Sequence, residues 1–416
     1  MKYDFLLVLL VVNISGNSAL YTILEREPLY VCSLIIFILY WLVVRPVAVR
    51  INMRFALMFL GLLTLFALHY LTFGSMVLMA SMGFMVILLI AFFAVKLIPD
   101  FFRKYISVMA WLGVLSLIFH IPRLLGVNMA NIFSFLKAPN GGPNYSHIYI
   151  HNFHYVDEMR NSGIFWEPGA FAGYLVIALL LVLAHKHTPT SKWKVIVLIA
   201  ALVSSQSTTG YMAGLFLFSY WQLSKYRGRS VGGLDYRFII VPFLMGLIVT
   251  ASIYSYSNIT FLGEKIEHQI SESLNEEHNY RFNRFGNYLY DIEFFMERPL
   301  TGWGANPQTR VSVDPELAEF IDGQGNGLSG FLVKFGLFAF FMYFYCLYKN
   351  LKSMTHSSNQ ALILIIPVLM LLMGEQFFDY ALFLTLAFVS TSSNFRVDNL
   401  KRTINPQIYP SIEKQQ

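Results

Sequence analysis

Apolar runs long enough to cross a bilayer recur along the 416-residue chain, and this repetition constrains the fold more than any single motif. A spanning helix takes roughly 20 mostly apolar residues, and in lipid a helix is the simplest way to satisfy every backbone N–H and C=O internally. Twelve such runs lie near 4–21, 28–45, 55–73, 75–95, 105–121, 165–185, 193–205, 209–223, 238–255, 327–348, 360–374 and 376–392. Only 13% of the residues are charged, against about a quarter in soluble proteins. The expected fold is therefore all-α: a polytopic membrane protein of about 12 transmembrane helices, forming one integral domain over residues 1–416. Lys2, the first short run and the GNSA that follows also fit a cleaved signal peptide. The expectation is that this segment is retained as a helix.

Charge placement orients the chain. With the N-terminus inside, most of the 30 lysines and arginines fall in short cytoplasmic connections. Examples are Arg45, Arg50 and Arg54, then Lys96, Arg103 and Lys104, and later Lys225, Arg227, Arg229 and Arg237. This is the positive-inside pattern. The net charge of +6 thus reports orientation, not a nucleic-acid partner. Both termini are expected in the cytoplasm, with Lys334 left inside a helix. Two connections are long, 122–164 and 256–326, and both fall on the outer side. Long loops in compact proteins tend to be functional. Cys32 and Cys346 lie inside apolar runs and read as buried thiols, neither a disulfide nor a metal site.

An outer compartment lacks nucleotides, so chemistry there needs a pre-activated substrate. The sequence holds no phosphate-binding GxxxxGK[ST] loop and no Asp-x-Asp pair. A glycan carried on polyprenyl diphosphate would suit, and it demands cations at the membrane boundary, arginine above all. The stretch NYRFNRFGNYLYDIEFFMERPLTGWG supplies them. Phe282, Phe285, Leu289, Ile292 and Met296 form one apolar helical face, suited to lie on the membrane or the bundle. Arg284, Asn287 and Asp291 lie on the opposite stripe, flanked by Arg281. This stripe reads either as an anion site or as a solvated face with an Arg–Asp pair.

A second stretch, RNSGIFWEPGAFAGYL (160–175), places Arg160 and Glu167 where a helix enters the bilayer. Pro168 suits a first helical turn. Glu167 then reads as a capping carboxylate or as a general base for a sugar hydroxyl. The island SSQSTTGY carries Thr208 and Tyr211, and DGQGNGLSG carries Asn326; both can bind sugar or phosphate, or simply cap helices. Trp166 and Trp303 are candidates for stacking on sugar rings. His147, His151 and His154 suggest a metal cluster only in a helix, and the β-branched and aromatic residues around them argue against one. No metal and no cofactor is expected.

Together, RNSGIFWEPGAFAGYL, SSQSTTGYMAGL, FNRFGNYLYDIEFFMERPLTGWGANP and NGLSGFLVKFGL resemble the O-antigen polymerases and O-antigen ligases, bacterial membrane glycosyltransferases of the C-type class. The resemblance spans residues 160–340. It implies a metal-independent, inverting transfer, with Arg160, Arg281 and Arg284 holding the diphosphate and Glu167 beside them. Ligases of the family commonly carry a His-Asn pair at the helix after the large loop; here Gly325 precedes Asn326. That departure favours a polymerase and leaves Glu167 as the base, with His278 in reserve. The implied donor is a growing glycan on undecaprenyl diphosphate and the acceptor a lipid-linked repeat unit. The implied setting is the bacterial inner membrane, with the active site facing the periplasm and a chain-length regulator as partner. A ligase or a lipid-linked-oligosaccharide flippase are the rival expectations.

Overall fold

The computed structural model describes residues 2–16, 19–46, 51, 53–138, 145–154, 159–185, 190–225, 230–231, 234–235, 284–313 and 326–388. In chain order the larger elements are α1 (Lys2–Ile14), α2 (Arg26–Leu39, continued by a π turn, Tyr40–Val44), α3 (Met53–Phe73), α4 (Leu78–Leu97) and α5 (Phe101–Leu124). Then come α6 (Met129–Ile132), the hairpin β1 (Tyr145–Ile148) and β2 (His151–His154), α7 (Pro168–Ala184), α8 (Lys192–Ser205) and α9 (Thr208–Lys225). A second small hairpin, β3 (Ser230–Val231) and β4 (Leu234–Asp235), precedes α10 (Arg284–Glu297), α11 (Gln308–Val311), α12 (Gly327–Thr355), α13 (Ser358–Leu372) and α14 (Ala381–Thr385).

Among the described residues the chain is thus mostly helical, as expected, with two short hairpins added. Four stretches among the described residues are long and apolar enough to cross a membrane: Arg26–Val44, Met53–Leu97, Phe101–Leu124 and Gly327–Thr355. The second is itself a helical hairpin, because Phe55 stacks on Phe92 while Phe66 meets Phe84 edge-on, so α3 and α4 run antiparallel. Shorter apolar helices lie at Tyr3–Ile14, Pro168–Ala184 and Ser358–Leu372, and α8 and α9 pack against α7 in the same bundle. Leu42, Val43, Leu60, Leu71 and Met79 point outward, as side chains do when lipid rather than water surrounds them. The run near 238–255 lies outside the described residues.

Helix α7 forms the centre of the bundle, with nearly every residue buried. α1 also belongs to the core: Val8, Val11, Val12 and Ile14 are fully enclosed. Its buried Asp4 accepts hydrogen bonds from Lys104 Nζ at 2.7 Å and Tyr40 Oη at 2.6 Å, and Arg45 lies 3.6 Å away. These pairs tie the first helix to α2 and α5.

Two departures from regular helix shape the region around the polar residues. Inside α12, Gly336 has φ 68° and ψ −177°, which interrupts the helical ladder. The PLTGWG loop is spliced into the gap: Leu337 N donates to Pro299 O (2.8 Å) and Phe338 N to Leu300 O (3.2 Å). In return Trp303 N donates to Val333 O and Gly304 N to Lys334 O, both at 2.8 Å. His69 Nε2 bonds Thr301 O at 2.7 Å and steadies the same loop. A broken helix is tolerated at membrane depth when protein groups re-satisfy its backbone, and here one loop does so.

The second departure corrects the expected span at 376–392. Its described part is a 3-10 turn, Phe377–Asp379, followed by the five-residue α14. Every residue from Ala381 to Phe388 is buried by protein, so this apolar run reflects enclosure in the bundle. Side chains supply the missing backbone partners: Ser15 Oγ accepts from Leu382 N (3.0 Å), while Tyr343 Oη donates to Phe383 O (2.9 Å) and Asn350 Nδ2 to Leu386 O (2.7 Å).

Candidate functional site

The segment entering α7 is held by side chains from three directions. Asn161 Nδ2 donates to Ser116 Oγ and Ser204 Oγ, and its Oδ1 accepts from Gly163 N at 2.9 Å. Asn152 on β2 donates through Nδ2 to Phe165 O (3.0 Å) and Trp166 O (3.1 Å). Glu167 then occupies the N-cap position of α7 in extended conformation, followed by Pro168. Its side chain makes no capping hydrogen bond, which removes the capping reading.

What Glu167 meets is EQFFDY (375–380), a stretch that in sequence reads only as the flank of an apolar run. A Cβ built on Gly169 would lie 2.7 Å from Glu375 Oε1 and 3.5 Å from Glu167 Oε1, so both carboxylates reach one point above the first turn of α7. Trp166 packs on Tyr380 with ring centroids 5.0 Å apart. The other face of this cluster is cationic. Lys334 Nζ on α12 lies 2.8 Å from Asp379 Oδ2 and 3.2 Å from Gln376 Oε1. Arg26, at the start of α2, donates to Tyr30 Oη (2.9 Å) and Asp379 O (3.2 Å), and its guanidinium lies over the Tyr380 ring at 5.0 Å. Several helices therefore converge on one short connection.

α10 joins this cluster through its polar stripe. Asp291 is 2% exposed; it accepts from Ser329 Oγ at 2.6 Å and faces Arg310 Nη1 at 3.7 Å. Burial raises its carboxyl above the usual range, with Arg310 and Ser329 opposing the shift. The solvated Arg–Asp face is thus corrected: Asp291 points into the protein, and its arginine comes from α11, beyond the loop. Phe294 is buried beside it, while Met296, on the apolar face, is 68% exposed. A Cβ on Gly330 would sit 3.5 Å from Gln376 Nε2 and 4.0 Å from Asp291 Oδ2, so α10 and the 375–380 connection meet across Gly330.

The remaining candidates take other positions. Arg160 is half-buried, with Nε 3.4 Å from Ser205 O at the α8–α9 turn. Tyr211 donates to Val203 O at 2.5 Å on the same turn, and Thr208, which opens α9, is exposed. Its neighbour Thr209 reaches the cluster, with Oγ1 2.9 Å from a Cβ built on Gly374. Asn326 is an N-cap, accepting from Leu328 N and Ser329 N. Trp303 is 3% exposed, donates Nε1 to Phe294 O at 2.7 Å, and stacks on Phe73 with the Arg298 guanidinium over both rings, so it serves the loop splice. Arg281, His278 and Gly325 lie outside the described residues, as do the side chains of Arg284 and Asn287.

The three histidines lie on the β1–β2 hairpin, not on a helix. His147 is paired with Asn152, and His151 with Ile148. Burial holds His151 down at about 3 and His147 at about 4. Among the described residues no group of three His, Cys, Asp or Glu side chains could hold a metal ion.

A helical bundle with an apolar exterior, and with carboxylates, cations and aromatic rings gathered at one end, defines a multi-pass membrane protein with a polar site at one pole. Residues 193–344 match the O-antigen ligase family model, which bears out the resemblance over that stretch. No curated protein matches the chain. The matched region contributes Asp291, Arg310 and Lys334; Arg160, Glu167 and the 375–380 connection lie outside it.

Proposed function

We propose that this protein is a polysaccharide polymerase of the O-antigen type, transferring a growing glycan from undecaprenyl diphosphate to a lipid-linked repeat unit. One observation carries the reading: Glu167 and Glu375 both approach Gly169, near Trp166, Tyr380 and Lys334, at the pole where the family-matching region contributes α10 and α12. In the reaction, an acceptor sugar hydroxyl attacks the donor's anomeric carbon with inversion. The bond from that carbon to the phosphate oxygen breaks, and its electron pair leaves with the diphosphate. Glu167 takes the hydroxyl proton. Arg160, Arg281 and Arg284 hold the departing diphosphate, because fixed cations aimed at developing charge are often the largest catalytic contribution.

Gly325, in place of the histidine expected of a ligase, favours the polymerase. The site faces the periplasm of the bacterial inner membrane, and a chain-length regulator sets the product. Purified protein in nanodiscs, given lipid-linked repeat units, should build a ladder of lengths that Glu167→Gln slows about 10²–10⁴-fold to a measurable residual rate and that Arg284→Ala also slows sharply. Transfer to a lipid-A core without chain growth would make it a ligase. Translocation without any new glycosidic bond would make it a flippase.

A further inference from the structure

The hairpin that carries the histidines has no part in the reaction as proposed, yet it grips the segment that ends in Glu167. Asn152 N donates to Gly163 O at 2.7 Å, and its Nδ2 reaches the carbonyls of both Phe165 and Trp166. His154 Nε2 lies 3.1 Å from the same Trp166 oxygen. The hairpin is itself anchored, since Arg123 at the end of α5 donates to His154 O. The second carbonyl in this grip belongs to the peptide whose nitrogen is that of Glu167. On the other side, Pro168 restricts Glu167 to extended backbone, and φ −151° with ψ 162° agrees. The backbone on both sides of the Glu167 side chain is thereby fixed.

Asn152 is 1% exposed and its Oδ1 has no hydrogen-bond partner. A buried amide with one end unsatisfied is a poor stabilising device, because the lost hydration of that oxygen offsets what the donor end gains. The side chain is used for its two N–H groups, and both point at the peptides that set Glu167. We propose that Asn152, assisted by His154, is a positioning residue that fixes the Glu167 carboxylate for proton transfer. This rests on the reading of Glu167 as the base.

Asn152→Asp keeps the shape and replaces the donor by an oxygen facing two carbonyls. Made in the full-length protein and assayed with lipid-linked repeat units, it should lower kcat about 100-fold, the scale expected of a misplacement of about 1 Å, with little change in KM. In a Glu167→Gln background it should cause no further loss, since residues acting through one group are not additive. Wild-type kcat in Asn152→Asp, or a loss that multiplies with that of Glu167→Gln, would overturn the positioning role while leaving the base in place. Full activity of Glu167→Gln alone would overturn the base, and the positioning role with it. Should Asn152→Asp fail to fold, His154→Ala removes only the assisting contact and should lower kcat about tenfold, again with no effect in the Glu167→Gln background. Unchanged kcat in a folded His154→Ala protein would refute the proposal.

Discussion

Gly336→Ala tests the spliced helix. A Cβ at this position would stand 2.3 Å from Leu300 O and 2.4 Å from Leu300 C, so it meets backbone that cannot rotate away. The conformation, φ 68° and ψ −177°, costs a residue with a side chain about 1–3 kcal/mol. Relief requires PLTGWG to back out, which gives up the four hydrogen bonds to Val333, Lys334, Leu337 and Phe338, each contributing about 1 kcal/mol net. The sum is on the order of 5 kcal/mol, close to the whole stability of many proteins. Gly330→Ala is the control on the same helix: its nearest neighbour would be 3.5 Å away, and alanine gains about 1 kcal/mol in helix propensity. Melting of the detergent-purified proteins, followed by loss of the monodisperse size-exclusion peak, should show Gly336→Ala unfolding far below wild type and Gly330→Ala at or above it. Coincident melts for Gly336→Ala and wild type would mean that the helix can run straight through, and would refute the splice as a source of stability.

Arg310→Ala strands Asp291 as a buried carboxylate and should cost about 3–5 kcal/mol in the same melt, whereas Asp291→Leu with Arg310→Met recovers much of it. Acidification should loosen the β1–β2 hairpin. The unfolded segment takes up protons as pH falls through about 6.5, while folded His151 and His147 resist to about 3 and 4. Stability is therefore complete above about 6.5 and declines below it, by about 2 kcal/mol for each histidine near pH 5; limited proteolysis within 145–154 at pH 7.5 and pH 5 measures this, and equal cleavage contradicts it. Lys334→Met leaves Asp379 without its cation and should lower ladder formation at least about tenfold, with Lys334→Arg retaining part. Equal ladders for Met and Lys would exclude the 375–380 connection from the reaction.

Hydropathy alone locates α2 to α5, α7 to α9, α12 and α13, because lipid demands long apolar helices and leaves little else for such runs to do. It fails where protein, not lipid, does the enclosing: residues 381–388 are as apolar as a span yet lie inside the bundle. Gly336 is equally silent, since the apolar residues that flank it on both sides show no change of pattern where the ladder is cut. The Arg160, Glu167 and α10 stretches stand out because charge at a membrane boundary is rare. Glu375 and Asp379 do not, because they sit at the edge of an apolar run where polar residues are ordinary. Helical spacing points to a partner for Asp291 one or two turns away, whereas Arg310 arrives from a separate element through a fold that no local spacing records. The β-branched and aromatic residues of 147–154 do signal a strand, and of its histidines His154 reaches the Trp166 carbonyl.

The bond from Leu382 N to Ser15 Oγ joins positions 367 apart in the chain. During synthesis the first helix enters the membrane early and packs against α2, α4 and α5, yet this one bond must wait until residue 382 emerges. The molecule closes like a purse string, and a cut near either extremity should undo the same knot.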